Sequence, residues 1–66
     1  MPKFLVERLG GDEREWIAIE NIVTFSSKYA VMLIAKKYNY GINMVMRAFN
    51  PETGIWYYYF ADGTPN

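Results

Sequence analysis

The chain has 66 residues, of which 52% are hydrophobic and 18% aromatic, and its seven Lys and Arg residues balance seven Asp and Glu residues to a formal charge of zero. This length allows a single domain, residues 1–66, and this apolar content excludes a disordered chain. There is no Cys and no His, which excludes disulfide bonds and thiolate chemistry and removes the most common general base.

Targeting and membrane segments are not expected. The first residues contain no basic segment followed by an apolar stretch, and no run approaches the roughly 18 apolar residues of a membrane span. Because cysteine is also absent, we expect a cytoplasmic protein that has no contact with a membrane.

The first third of the chain predicts a β-hairpin. Residues Lys3 to Leu9 alternate loosely and are rich in β-formers, which indicates a strand. The sequence Gly10-Gly11-Asp12 permits the positive φ values of a tight turn. A second strand, roughly Glu15 to Ile19, should pair antiparallel with the first, because so short a loop cannot support a parallel crossover.

The middle of the chain predicts one helix. Residues 28–38 contain no Gly or Pro and are rich in helix formers, with Ser26 or Thr24 as the N-cap. Lys36 and Lys37 lie in the predicted last turn, where positive charge suits the helix dipole, and Asn39 or Gly41 can adopt a left-handed cap. The apolar arc is wider than one sheet contact requires. Its main face is Ala30, Val31, Ile34 and Tyr38, and a second stripe is Tyr29, Met32 and Leu33.

The last third predicts a second hairpin. Residues Ile42 to Ala48 alternate as a strand with one apolar face, and Ile55 to Phe60 form the returning strand. Between them, Asn50-Pro51-Glu52-Thr53-Gly54 has the residues that a type I turn with a glycine bulge requires. Residues 61–66 are expected to be a frayed tail. The fold class is therefore α+β, a two-layer sandwich in ββαββ order with one helix on an antiparallel four-stranded sheet.

The helix can cover only one face of such a sheet. We expect the covered face to hold Phe4, Val6, Ile17, Ile19, Ile42, Met44 and Met46, together with the bulky trio Trp56, Tyr58 and Phe60. The other face is then expected to hold Leu5, Glu7, Trp16, Val45, Arg47, Tyr57 and Tyr59. Either these residues simply favour strands, or they form a binding surface, since Trp, Tyr and Arg are enriched at binding hot spots.

Catalysis, cofactors and metals are not expected. Ser26 lies near Lys28 but is better explained as a helix cap than as a nucleophile. The carboxylates Asp12, Glu13 and Glu15 fall in a turn that offers no cleft or fixed ligand loop. Gly10-Gly11 lacks the spacing and the following helix of a phosphate loop.

Two functions remain as hypotheses. The first is a non-enzymatic protein-binding module that also self-associates, with partner contacts through Trp16, Arg47, Tyr57, Tyr59, Tyr29 and Met32. Its size and its sheet-plus-helix shape are similar to those of many small phage and mobile-element proteins that block host enzymes, anti-CRISPR proteins among them. No motif of the chain carries this likeness, which is one of size and shape alone. What the likeness implies is an inhibitor of a host protein. The alternative is a single-strand nucleic-acid binder that stacks bases on an aromatic sheet face, which the zero net charge disfavours.

Overall fold

Four strands and one helix follow one another in the predicted ββαββ order. The computed structural model describes residues 1–66 and contains β1 (Lys3–Leu9), β2 (Trp16–Val23), α1 (Ser27–Lys37), β3 (Val45–Asn50) and β4 (Ile55–Phe60). All neighbouring strands are antiparallel, in the spatial order β2-β1-β3-β4, and α1 packs on one side of this sheet. The predicted fold class is confirmed.

The ends of the helix are also as predicted. Ser26 is the N-cap, and its Oγ accepts a hydrogen bond from the Tyr29 N–H at 3.0 Å. Lys36 and Lys37 occupy the last turn, and Asn39 has φ 57° just beyond it. These contacts satisfy backbone groups that a helix of 11 residues would otherwise leave unpaired at its ends.

The two hairpin turns differ in how well the sequence predicts them. In the second, Asn50 Oδ1 accepts from the Glu52 N–H at 2.9 Å, and Gly54, with φ 73°, donates to the Asn50 carbonyl at 2.8 Å, as expected. In the first, the left-handed residue is Glu13, with φ 59°, and neither glycine has positive φ. The Glu13 N–H donates to the Gly10 carbonyl, so the left-handed residue is the last of this four-residue turn and not one of its two central residues.

Two strand boundaries were predicted wrongly. β2 continues to Val23 because β1 pairs with it over its whole length, and one extra β2 residue at Ile19 forms a bulge. β3 begins at Val45 because the preceding residues turn, with the Met44 N–H donating to the Gly41 carbonyl at 3.0 Å. Ile42, expected beneath the helix, therefore lies in this turn and is 68% exposed.

Residues 61–66, expected to fray, instead fold back along the outer edge of β4. The Phe60 N–H donates to the Thr64 carbonyl at 2.8 Å, and the Asn66 N–H donates to the Tyr58 carbonyl at 3.2 Å. Gly63 has φ 87°, and a Cβ at this position would meet Met32 Sδ at 2.8 Å. Only glycine fits both the backbone conformation and this close approach to the helix.

The core lies between α1 and the inner face of the sheet. Nine buried hydrophobic residues form it: Phe4, Val6, Ala30, Val31, Ile34, Ala35, Met46, Ala48 and Ala61. The helix crosses the sheet from β4, where Ser27 Oγ and the Tyr59 hydroxyl are 2.6 Å apart, to β2, where Lys37 Nζ lies 2.8 Å from Glu20. These polar contacts fix both ends of the helix over the sheet.

The assignment of β4 side chains to the two faces was wrong. Ala48 is paired with Tyr57 and Met46 with Tyr59, and directly opposed residues share a face. Since Ala48 and Met46 are buried beneath the helix, Tyr57 and Tyr59 face α1. The predicted core trio Trp56, Tyr58 and Phe60 therefore lies on the outer face. Four of the nine core residues are alanines, which hold the helix close to the sheet and leave little depth for tryptophan.

The Glu20 contacts predict a pH-dependent contribution to stability. Hydrogen bonds from Lys37 and Tyr38 lower the pKa of Glu20, and the bond to Glu20 raises the pKa of Lys37 and of Tyr38. The Glu20 contribution is therefore present above its ordinary pKa of 4.5 and is lost as pH falls through the lowered value. The same bonds are also lost at alkaline pH, as pH rises through the raised pKa values of Tyr38 and Lys37.

We expect wild type to be more stable than Glu20→Gln at neutral pH, and the difference to disappear on acidification. Thermal unfolding of both proteins from neutral pH down to about pH 3 measures it. Because Lys37 and Tyr38 are exposed to solvent and Glu20 is only half-buried, high salt should also reduce the difference. A difference that persisted at the acid end would mean that Glu20 acts through something other than its charge.

Candidate functional site

An ion pair lies at the centre of the outer face, the side of the sheet away from α1. Glu7 of β1 and Arg47 of β3 are directly paired across the strands. Glu7 Oε1 accepts from Arg47 Nη2 at 2.7 Å and from Arg47 Nε at 2.9 Å. Only 18% of the Arg47 side chain and 13% of the Glu7 side chain remain exposed. Arg47 lies on the outer face, as the alternation of residues along its strand predicts. Its charge, however, is already compensated by Glu7 of the same chain.

Aromatic rings cover this ion pair. The Arg47 guanidinium carbon lies 3.8 Å from the ring centroid of Trp56 and 4.2 Å from that of Trp16. The Trp16 ring also meets Tyr58 edge-on, with centroids 5.9 Å apart. These contacts join β2 to β4 across the whole width of the sheet. At such distances a guanidinium is attracted to the ring faces, so Arg47 holds both tryptophans in place.

One further ring extends the aromatic surface toward the second hairpin. Phe49 packs on Trp56, with centroids 4.7 Å apart. We call this set the outer-face cluster: Glu7, Trp16, Arg47, Phe49, Trp56 and Tyr58. Leu5, Leu9, Val45 and Phe60, which the strand alternation places on the same face, are all half-buried, while Tyr58 is 43% exposed and Ala18 is also exposed. The result is a largely apolar surface whose central charged pair is already neutralised, with exposed Lys3 at the start of β1 on the same face.

The structure brings together two of the six predicted contact residues. Trp16 and Arg47 meet in the outer-face cluster. Tyr57 and Tyr59, predicted beside them, lie on the opposite face under the helix, because of the register of the second hairpin. Tyr29 and Met32 lie apart from the cluster on the helix. Tyr29 stacks on Phe25 at 4.8 Å, whereas Met32 packs against the folded-back tail.

Besides Glu7, the cluster contains three aromatic residues that were not among the predicted contact residues: Phe49, Trp56 and Tyr58. A signal for them was available in the sequence. The loop Asn50–Gly54 fixes which residues of β3 and β4 face each other, and the pairing of Asn50 with Ile55 puts Tyr58 opposite Arg47. The register of the hairpin therefore predicts the face on which Trp56 and Tyr58 lie, whereas the size of their side chains predicts the wrong face.

Elsewhere the chain offers only shallow clefts. One lies at the first hairpin beside Arg8 and Glu13, and another lies between Met32, Ile42 and Asp62. Hydrogen bonds from Thr64 lower the pKa of Asp62, so this carboxylate is held in the ionised form by its own turn. No group of three potential metal ligands lies together, and α1 is too short to cross a membrane.

Comparison with known proteins adds no relative: no protein-family model, no curated protein and no solved structure matches the chain. Its function therefore has to be inferred from its own surface. The outer-face cluster is the largest arrangement of aromatic side chains on that surface.

Proposed function

We propose that the chain is a non-enzymatic module that binds another protein through the outer-face cluster. The observation that carries this proposal is a four-stranded sheet face bearing Trp16, Trp56, Tyr58 and Phe49 with no layer above it. Trp and Tyr dominate binding hot spots, and a large apolar patch on a small protein marks an interaction site.

The partner surface that fits is apolar and uncharged. The charge of Arg47 is compensated by Glu7 at 2.7 Å, and both of its neighbouring rings shield it. A carboxylate or phosphate of the partner would therefore have to compete with an existing ion pair. We expect the complex to form through apolar contact, with little dependence on salt.

Acting as a cytoplasmic inhibitor is the simplest role for such a module. A chain of 66 residues that covers part of a larger protein can block access to that surface without any chemistry of its own. This role needs no cofactor or metal. It requires only that the covered surface be one the larger protein uses.

Single-stranded nucleic acid is the competing partner, and the geometry disfavours it. Each of Trp16 and Trp56 already has Arg47 against its ring, which leaves fewer free ring faces for bases. Arg47 cannot neutralise a phosphate while it is bound to Glu7. Base stacking without phosphate contacts gives weak binding.

Photo-crosslinking and an oligonucleotide titration together test the proposal. A photoreactive amino acid at Ala18, on the outer face, should give a specific adduct with another protein in extract, and the same group at Ile17, the adjacent residue on the other face, should not. A labelled single strand should show no binding at low salt. Tight oligonucleotide binding that falls steeply with salt, without adducts specific to position 18, would overturn the proposal.

A further inference from the structure

We propose that, in the absence of its partner, the outer-face cluster packs on the same face of a second copy of the chain, forming a weak symmetric dimer. This inference rests on the proposed function, because it takes this face as a protein-binding one. To the proposed function it adds that a second copy of the chain can occupy this face. The other protein then displaces the second copy from the shared surface.

A second copy would cover aromatic surface that the monomer leaves partly exposed. Of the two Trp, six Tyr and four Phe residues, Phe4 is buried, seven are half-buried and four are exposed. Domains of fewer than about 70 residues commonly add disulfides, a metal or association to a small core. Here there is no Cys and no cluster of metal ligands, so association is the route that remains.

Both edges of the sheet are protected, which leaves the face as the surface for association. The folded-back tail pairs with β4 through Tyr59 and Pro65 and occupies backbone groups of Tyr58 and Phe60. On β2, the bulge and the charged Glu20 interrupt the other edge. Bulges and charges of this kind are how sheets avoid edge-to-edge pairing. Pairing of two copies edge to edge through β4 is therefore disfavoured.

The electrostatics of the outer face permit a like copy to approach. The formal charge of the chain is zero, so two copies do not repel each other strongly. The only charges at the centre of the face are Glu7 and Arg47, which are paired and largely covered before any contact forms. Dimerisation therefore does not bury a lone charge, the step that most often prevents such packing.

The size of the face sets the strength of the dimer. Four strands about 4.8 Å apart and six residues at about 3.3 Å each give a face of roughly 19 × 20 Å. The footprint is about 400 Å² per copy, below the roughly 800 Å² per partner of a standard interface. We therefore expect a weak dimer whose dissociation constant lies between about 10 µM and about 1 mM.

Sedimentation equilibrium from about 10 µM to about 1 mM tests this inference, with the expected dimer in the upper part of the range. Ala18→Arg puts a long charged side chain on the outer face, opposite Glu7, where it obstructs the packing of a second copy and should weaken the dimer roughly tenfold or more. Ile17→Arg, its matched control, adds the same charge to the other face and should leave the dimer intact. Tyr58→Glu is a second disrupting variant, and circular dichroism verifies the fold of each.

A monomer throughout that range overturns the inference, as does a dimer that Ile17→Arg disrupts and both outer-face variants leave intact. These results are distinguishable from failure of the proposed function. A strictly monomeric chain that still forms specific adducts with another protein from position 18 would remove the second copy and leave the binding module standing.

Discussion

Replacing Ile34 by alanine is expected to lower the free energy of unfolding by about 2–5 kcal/mol. Ile34 is 2% exposed and is among the largest fully buried side chains, at the middle of α1. Its truncation removes apolar contacts and leaves a cavity that the surrounding alanines cannot fill. The change is large because a domain of this length has a total stability of roughly 3–10 kcal/mol.

Urea unfolding measures this loss, and Ile42→Ala provides the control. Ile42 is 68% exposed in a turn, so its truncation should change stability by no more than about 0.5 kcal/mol. If Ile34→Ala is unfolded, Ile34→Val should still fold and lose about 0.5–1.5 kcal/mol. Equal losses at positions 34 and 42 would contradict the placement of the core between α1 and the sheet.

Removing one member of the Glu7–Arg47 pair is the second change expected to have a large effect. Loss of one partner from a buried ion pair costs about 3–5 kcal/mol, because the other charge is left uncompensated. Glu7 and Arg47 keep 13% and 18% of their side chains exposed, so we expect the lower end, about 3 kcal/mol, for Glu7→Gln. Arg47→Met should cost as much or more, since both tryptophans also lose the cation between them.

The double variant Glu7→Leu with Arg47→Met distinguishes the possible sources of this loss. An apolar pair of similar volume is often as stable as a buried ion pair, so the double variant should recover most of the stability lost in either single one. Urea unfolding of wild type, Glu7→Leu, Arg47→Met and the double variant gives the coupling energy. If the double variant were the least stable of the four, the pair itself, and not the isolated charge, would be the source of stability.

The sequence predicts the elements of this fold well because each rests on local chemistry. Three predicted features depend only on residues close together in the chain, and the structure has each of them: the N-cap at Ser26, the left-handed residue Asn39 after the helix and the turn Asn50–Gly54. The positive φ at Glu13, by contrast, has no such local signal in the sequence. Two adjacent glycines indicate a turn, but they do not say which turn type forms.

The candidate site was harder to predict because it depends on which way a strand faces. In Ile55–Phe60 every residue after the first is aromatic. Composition alone therefore does not identify which of these side chains face the helix. The register with β3 decides it, and it reverses an assignment based on bulk. Arg47 shows a second difficulty. Its face was predictable, but its contacts with Glu7 and two tryptophans join three other strands and have no local signal.

We propose the outer-face cluster, on the side of the sheet away from the helix, as the surface that binds another protein. The protein identified by cross-linking can be purified and its affinity for the chain measured by calorimetry. Wild type, Ala18→Arg and Ile17→Arg are each titrated at low and at high salt. We expect Ala18→Arg to weaken binding by roughly 2 kcal/mol or more, Ile17→Arg to bind as wild type does, and salt to have little effect. Loss of binding in Ile17→Arg with normal binding in Ala18→Arg would place the interface on the opposite face and contradict the account.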